Sequence, residues 1–236
     1  MPNFTHRSGD VEVMDDLDCG GPVLQQTLRE LEIVNKWLGG NTITIQALEQ
    51  LLQSHDKKSE ISIVDLGCGG GDMLRIIAKW GARNNFKFKL TGIDANPNVI
   101  AFARRNVPEF SPETFQTVNI FSKEFSSRQY DVVVGTLFFH HFVDADLIDF
   151  FKQLKTQVRL GLIINDLHRH AFAYYSIKML TGLFSRSPMV KYDAPLSVLR
   201  GFSRKELAFV LQAAGLTEYD LTWRWAFRWQ VIAPSQ

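Results

Sequence analysis

Gly67, Gly69 and Gly71 stand in VDLGCGGGD (64–72), with Asp65 two residues ahead of the first glycine and a second acid, Asp94, closing the next apolar run. Glycines between a strand and a helix let ligand atoms approach the backbone, where amides and the helix dipole meet a carboxylate or phosphate. An acid at the end of the following strand can accept hydrogen bonds from a ribose diol. A tight strand-to-helix turn would account for the glycines alone, and a turn or capping role for Asp94 alone. Asn96-Pro97, however, already supplies a helix start. The spacing also separates ligand classes. G-x-G-x-G with Asp72 in the sixth place departs from the dinucleotide fingerprint G-x-G-x-x-G, and no Gly-Lys-Ser/Thr follows to make a phosphate-binding P-loop.

Four of the six histidines form two pairs. His140 and His141 follow YDVVVGTLF (130–138), and His168 and His170 follow VRLGLIIND (158–166). Ligands of open α/β sheets sit beyond the carboxyl ends of the strands, where both pairs would lie. An imidazole titrating near ~6.5 can take a proton from a phenol of pKa ~10. We expect His168 or His170 to be that base, with a capping or substrate-polarising role as the competing reading. His140 and His141 are expected to contact substrate.

These residues need a frame. ISIVDL (61–66), FKLTGID (88–94), TFQTVNI (114–120), YDVVVGTLF (130–138) and VRLGLIIND (158–166) read as five strands, and 217–223 and 227–233 as two more. Between them lie helices opened by Asp72, Asn96-Pro97, Asp144 and the capping box Ser203/Glu206. Gly21-Pro22 opens an earlier helix over 22–38 that Gly39-Gly40 ends, and a short helix over about 44–54 follows. Alternating strands and helices predict an α/β fold with a mostly parallel sheet covered on both faces. Residues 1–20 are polar and acidic and read as a mobile arm. Residues 168–201 interrupt the rhythm and read as an insertion with at least one helix, about 170–184. The predicted division is an arm and helical cap over 1–59, then a main domain over 60–236.

Composition narrows the classes. The 236 residues carry 26 Lys+Arg against 25 Asp+Glu, a net charge of +1, which argues against a dedicated nucleic-acid binder. With 45% hydrophobic residues the chain can build a sizeable core, and two cysteines, Cys19 and Cys68, imply no disulfide framework. With neither a signal-peptide pattern nor an apolar run long enough to span a membrane, the expectation is a cytoplasmic protein.

VDLGCGGGD, GIDANP and DVVVGTLFFHH, in that order, resemble three sequential motifs of the class I S-adenosylmethionine-dependent methyltransferases. The resemblance covers about 60–167, with 202–233 as the C-terminal helix and strand pair. It implies a Rossmann-like, doubly wound seven-stranded sheet with an antiparallel C-terminal strand, and S-adenosyl-L-methionine as cofactor. On that resemblance Asp65, Gly67, Cys68, Gly69 and Gly71 hold the methionine part, Asp94 the ribose, and Ala95 and Asn96 flank the adenosine. Asn119 and Ile120 read the adenine edge, where the family often has Asp at the first position. Thr136 and Leu137 lie beside the sulfonium and the acceptor. Catechol-type members use an acid at the end of the fourth strand to bind a metal; Gly135-Thr136 stand there instead, so no metal is expected. The Asn/Asp-Pro-Pro-aromatic tetrapeptide of nucleobase-amino methylation is likewise replaced by Gly135-Thr136-Leu137-Phe138.

The expected reaction is methyl transfer to a small, partly apolar acceptor at a phenolic or enolic oxygen. Transfer to carbon or RNA, a dinucleotide-dependent reductase and a non-catalytic scaffold are the alternatives. The apolar 171–184 stripe, including Phe172 and Tyr175, could be a lid over the acceptor, core, a dimer face or a membrane-surface contact; 168–207 also looks like small-molecule methyltransferases found beside polyketide synthases. WRWAFRW (223–229) reads as sheet alternation with its aromatics packed under a helix rather than as a nucleic-acid stacking platform. Residues 1–59 hold 5 basic against 9 acidic residues and 168–201 hold 5 against 1, so these segments are expected to approach one another. The basic insertion would also steer an anionic substrate.

Overall fold

In the computed structural model, residues 2–235 are described, so positions 1 and 236 of the predicted segments lie outside the described residues. Two N-terminal helices, α1 (Gly21–Trp37) and α2 (Gly40–Leu51), precede β1 (Glu60–Leu66) and α3 (Asp72–Arg83). Then come β2 (Lys87–Asp94), α4 (Pro97–Asn106), β3 (Phe115–Thr117), the one-turn α5 (Lys123–Ser126) and β4 (Tyr130–Thr136). The chain continues through α6 (Asp144–Gln157), β5 (Val158–Leu167), α7 (Ala171–Phe184), α8 (Pro188–Arg200) and α9 (Arg204–Ala213). It closes with β6 (Asp220–Arg224) and β7 (Arg228–Pro234).

The strands form one seven-stranded sheet in the order β3-β2-β1-β4-β5-β7-β6. β1, β2, β3, β4 and β5 pair in parallel, whereas β7 runs antiparallel to both β5 and β6. Order reverses between β1 and β4, the place where such sheets open a crevice for ligands. β1 and β4 are buried on both faces, which explains their continuous β-branched runs in place of alternation. On one face α6 and α9 bury Phe150, Phe151, Leu207 and Val210 against Val133, Leu162 and Val231. On the other, α2 and α3 bury Ala47, Leu48, Met73 and Ile77 against Ile63, Val132 and Ile232.

Local chemistry shifts several predicted starts. Gly71, not Asp72, caps α3: it takes φ +78°, and a Cβ there would lie 2.7 Å from the Phe115 ring. Val143 occupies the cap of α6, freeing Asp144 to pair with Arg7. The third strand is shorter than its apolar run, because Val118 leaves the ladder and Asn119 folds its side chain onto the amide of Phe121.

The larger correction concerns residues 2–20, which pack onto the fold and are not a mobile arm. They cross the carboxyl end of the sheet as an ordered strap. Arg7 donates to the carbonyls of Arg200 (2.8 Å), His140 (2.9 Å) and Phe142 (2.8 Å), and stacks over Phe202 at 4.2 Å. Arg169 donates to the carbonyls of Phe4 and Thr5, and the Asp193 carboxylate accepts from the amides of Val13 and Met14 at 2.8 and 3.1 Å. The acidic strap and the basic 168–201 segment therefore meet, with Asp15 on Arg200 at 2.7 Å. That segment holds two helices, α7 and α8, joined to α1 through Thr27–Ser187 and Glu30–Ser185 hydrogen bonds.

Candidate active site

At the carboxyl ends of β1, β4 and β5 lies a cavity of about 410 Å³, bounded by the glycine loop, the β4 corner, α1, α7, α8, the strap and the turn before β7. Its floor is the loop after β1. Gly67 takes φ +62°, and a Cβ on it would overlap the Phe138 ring, so only glycine leaves this wall open. Asp65, Gly67, Cys68 and Gly69 line the cavity together with Thr136 and Leu137 from the end of β4.

The loop is crowded with acid. Burial, reinforced by the charges of Asp72 and Asp94, pushes the Asp65 carboxyl well above its ordinary range. Asp72 is pushed up to about 6 by burial and the charge of Glu32, and burial raises Asp94 despite hydrogen bonds from the amides of Asn96, Gly69 and Ala95. Carboxylates packed this closely beside open backbone suit a ligand bringing positive charge and hydroxyl donors. A sulfonium and an ammonium near Asp65 and Asp72, and a ribose diol near Asp94, match that donor set.

The remaining cofactor-side residues lie apart from this cavity. Gly71 shapes the α3 start; Asp94 ends β2 and Ala95 follows it, with the Asp94 carboxylate accepting from the Asn96 amide at 2.9 Å. Asn96 caps α4 by accepting from Asn98 and donates to the carbonyl of Cys19 at 2.9 Å, so it also ties down the strap. Asn119 is exposed and Ile120 buried beyond β3.

The four histidines separate by position. His168 and His170 do not line the cavity. His170 is exposed and its Nδ1 accepts from the Phe172 amide as the cap of α7, while His168 Nδ1 accepts from Trp223 Nε1 at 3.1 Å. Burial, with electrostatic repulsion from His170 and Arg169, holds His168 below its ordinary value. His140 and His141 do line the cavity. Of the two pairs, the one at the β4 corner borders the cavity and the one expected to supply the base does not. Tyr175 is also off the cavity, 56% exposed beside Phe4, whereas Phe172 lines it. The C-terminal aromatics are not all packed under a helix: Trp225 is 66% exposed and, with Phe227, borders the cavity.

Asp166, from β5, organises the corner. One of its oxygens accepts from the amides of Phe139 (2.8 Å) and His140 (3.2 Å); the other meets His140 Nδ1 and the Leu167 amide, each at 2.7 Å. Burial works against its ionisation, but the His140 contact and the amides hold the carboxyl below its ordinary value. An ionised carboxylate only accepts, so His140 carries its proton on Nδ1 and leaves Nε2 as the basic nitrogen. Nε2 faces Glu12 Oε1 at 3.8 Å, a buried oxygen of the strap without a hydrogen-bond partner. His141 Nδ1 pairs with Asp15 at 2.6 Å; burial opposes its charging, yet Asp15 and Glu12 together raise its pKa. Glu12, His140 and His141 cluster closely enough to suggest a metal site, but Arg200 Nε stands 3.7 Å from Glu12 and occupies the place with its own positive charge.

Sequence reasoning missed Glu12, Asp15 and Asp166 as parts of one cluster. Asp166 was findable: parallel pairing of β4 with β5 aligns Thr136 with Asn165 and so sets Asp166 beside the corner. No local signal marks Glu12.

Residues 63–161 match a methyltransferase domain family. The ubiquinone biosynthesis O-methyltransferase of Methylobacterium sp. (strain 4-46) is 26% identical over 175 residues, 70% of this chain and 67% of the relative. Among solved structures, human N-acetylserotonin methyltransferase, crystallised with S-adenosylmethionine, superposes with a TM-score of 0.61 at 15% identity, covering 90% of this chain and 55% of that one. The CurJ carbon methyltransferase superposes at 0.59 with 16% identity, covering 83% and 54%. The chain thus spans little more than half the length of these two structures. With the glycine loop and the acids around it in place, these matches give the chain a methyltransferase domain over residues 63–161 and support a class I S-adenosylmethionine-dependent methyltransferase.

Proposed function

We propose that the chain transfers a methyl group from S-adenosylmethionine to a phenolic or enolic oxygen of a small, partly apolar acceptor, with His140 as general base. The observation that carries this is His140 on the cavity wall with Thr136 and Leu137, its Nδ1 held from behind by the buried Asp166. The bound cofactor would supply an electrophilic methyl group on a positively charged sulfur. Asp65 and the glycine loop would hold its methionine end, and Asp94 its ribose.

Asp166 would hold the proton on Nδ1 and leave Nε2 without one, so that His140, which lines the cavity, could take the acceptor's hydroxyl proton. The ring lies between the Asp166 carboxylate, 2.7 Å from Nδ1, and Oε1 of Glu12, 3.8 Å from Nε2. Apolar side chains of α1, α7 and α8, among them Leu31, Ile177 and Val198, line the cavity and support an apolar acceptor that excludes water. The relative named as an O-methyltransferase supports oxygen as the acceptor atom.

The test is transfer of labelled methyl from S-adenosylmethionine to a panel of phenols and enols, with the product atom assigned by NMR. An oxygen-methylated product whose turnover falls ~10²–10⁴-fold in His140→Ala, with S-adenosylhomocysteine affinity unchanged, is expected. Label on carbon, or in RNA alone, would replace this reading.

A further inference from the structure

The cavity wall also carries a buried cation that no acid contacts, although the charge of Asp166 acts on it. Arg228, the first residue of β7, is 2% exposed and lines the cavity. Its guanidinium makes one contact to Asn35 Oδ1 at 3.0 Å and a stretched one to Asn165 Oδ1 at 3.5 Å, and its Nε has no partner. Among the described residues it forms no ion pair.

The acids that could have closed one are engaged elsewhere. Asp166 already accepts four hydrogen bonds at the β4 corner, and Glu32, also on the cavity wall, pairs with Arg75 at 2.5 Å. Asn35 and Asn165 are neutral, and each spends its own amide hydrogens on other acceptors: Asn41 for the first, Gly40 and Thr44 for the second. A buried, unpaired guanidinium is among the costliest groups a fold can hold, unless a ligand supplies the missing charge. The planar fork of arginine matches a carboxylate with two parallel N–H···O bonds, and the free Nε is one of the donors that such a pair uses.

Resting on the methyl-acceptor reading above, we infer that Arg228 is the anchor for a planar carboxylate carried by the acceptor. The acceptor class is therefore an apolar hydroxy acid, held by its carboxylate at Arg228 while its hydroxyl meets His140. Asn35 and Asn165 position the guanidinium and, being neutral, leave its charge for the ligand. The cofactor's own methionine carboxylate has the same chemistry and is the other source to be distinguished.

Calorimetry on the full chain saturated with S-adenosylhomocysteine, using benzoate and 2-naphthoate against their isosteric amides, tests this. The wild type is expected to bind the carboxylates at least tenfold tighter than the amides. Arg228→Gln should abolish the preference and leave S-adenosylhomocysteine affinity within about twofold. Asn35→Asp places a carboxylate 3.0 Å from the guanidinium; it should raise the melting temperature while weakening carboxylate binding at least tenfold. This second variant keeps the inference testable if Arg228→Gln does not fold.

Equal affinity for acids and amides, no binding of either acid at millimolar concentration, or a preference that survives Asn35→Asp would overturn the inference. So would a loss of S-adenosylhomocysteine binding in a folded Arg228→Gln, which would assign the guanidinium to the cofactor. Failure of the wild type to bind S-adenosylhomocysteine is a different result, and it removes the methyltransferase reading itself.

Discussion

Asp15→Asn should loosen the N-terminal strap by an amount that can be worked from the structure. Burial alone would raise the Asp15 carboxyl, but hydrogen bonding and charge from His141, then the charge of Arg200, bring it from an ordinary 3.8 to about 2. Each tenfold change in proton affinity corresponds to ~1.4 kcal/mol, so these contacts favour the docked strap by roughly 2 kcal/mol at neutral pH. An amide keeps one acceptor oxygen, which reduces the expected loss to about 1–2 kcal/mol, or ~5–30-fold more frequent opening. The readout is native-state hydrogen exchange at the amides of Val13 and Met14, which donate to Asp193 only when the strap is docked.

The pH dependence has a defined sign. Asp15 is depressed, so its contribution is complete above about pH 4 and is withdrawn as pH falls through about 2. His141 is raised, so its contribution is complete below ~6.5 and is lost as pH rises past its elevated value. Protection at Val13 and Met14 should therefore be greatest in mildly acidic solution. Exchange at both amides unchanged within twofold in Asp15→Asn, or protection that rises steadily to alkaline pH, would refute the reasoning.

Two further substitutions probe the site. Asp166→Asn leaves one oxygen to serve donors that now share two, so a loss of ~2–4 kcal/mol in urea unfolding is expected at pH 7; the difference from wild type should shrink in acid as the depressed wild-type carboxyl takes up its proton. Gly67→Ala forces a side chain into φ +62° against Phe138, and should cost about 1–2 kcal/mol in stability and weaken S-adenosylhomocysteine binding by calorimetry.

The sheet and the glycine loop were legible because their signals are local. Continuous β-branched runs mark β1 and β4 as strands buried on both faces, and Asn96-Pro97 and Ser203/Glu206 open helices where they were expected. The strap was not legible. Glu12 and Asp15 look like solvated acids until Arg200, Ser197 and His141, more than a hundred residues away, supply their partners. The histidines show the same limit: both pairs follow strands, but the parallel register of β4 and β5 gives Asp166 to His140, while the cap of α7 takes His170. Arg228 was hidden within an aromatic alternation. β7 turns Trp229 and Val231 toward α6 and α9, and leaves Arg228, Gln230 and Ile232 on the face of α1 and α2.

If the glycine loop and the acids around it hold S-adenosylmethionine as proposed, calorimetric titration with S-adenosylhomocysteine will register it. One site per chain is expected in the wild type, weakened at least tenfold in Asp94→Ala, which removes the acid proposed to receive the ribose hydroxyls. No binding to the wild type, or tight NAD(P)H binding in its place, would contradict the account.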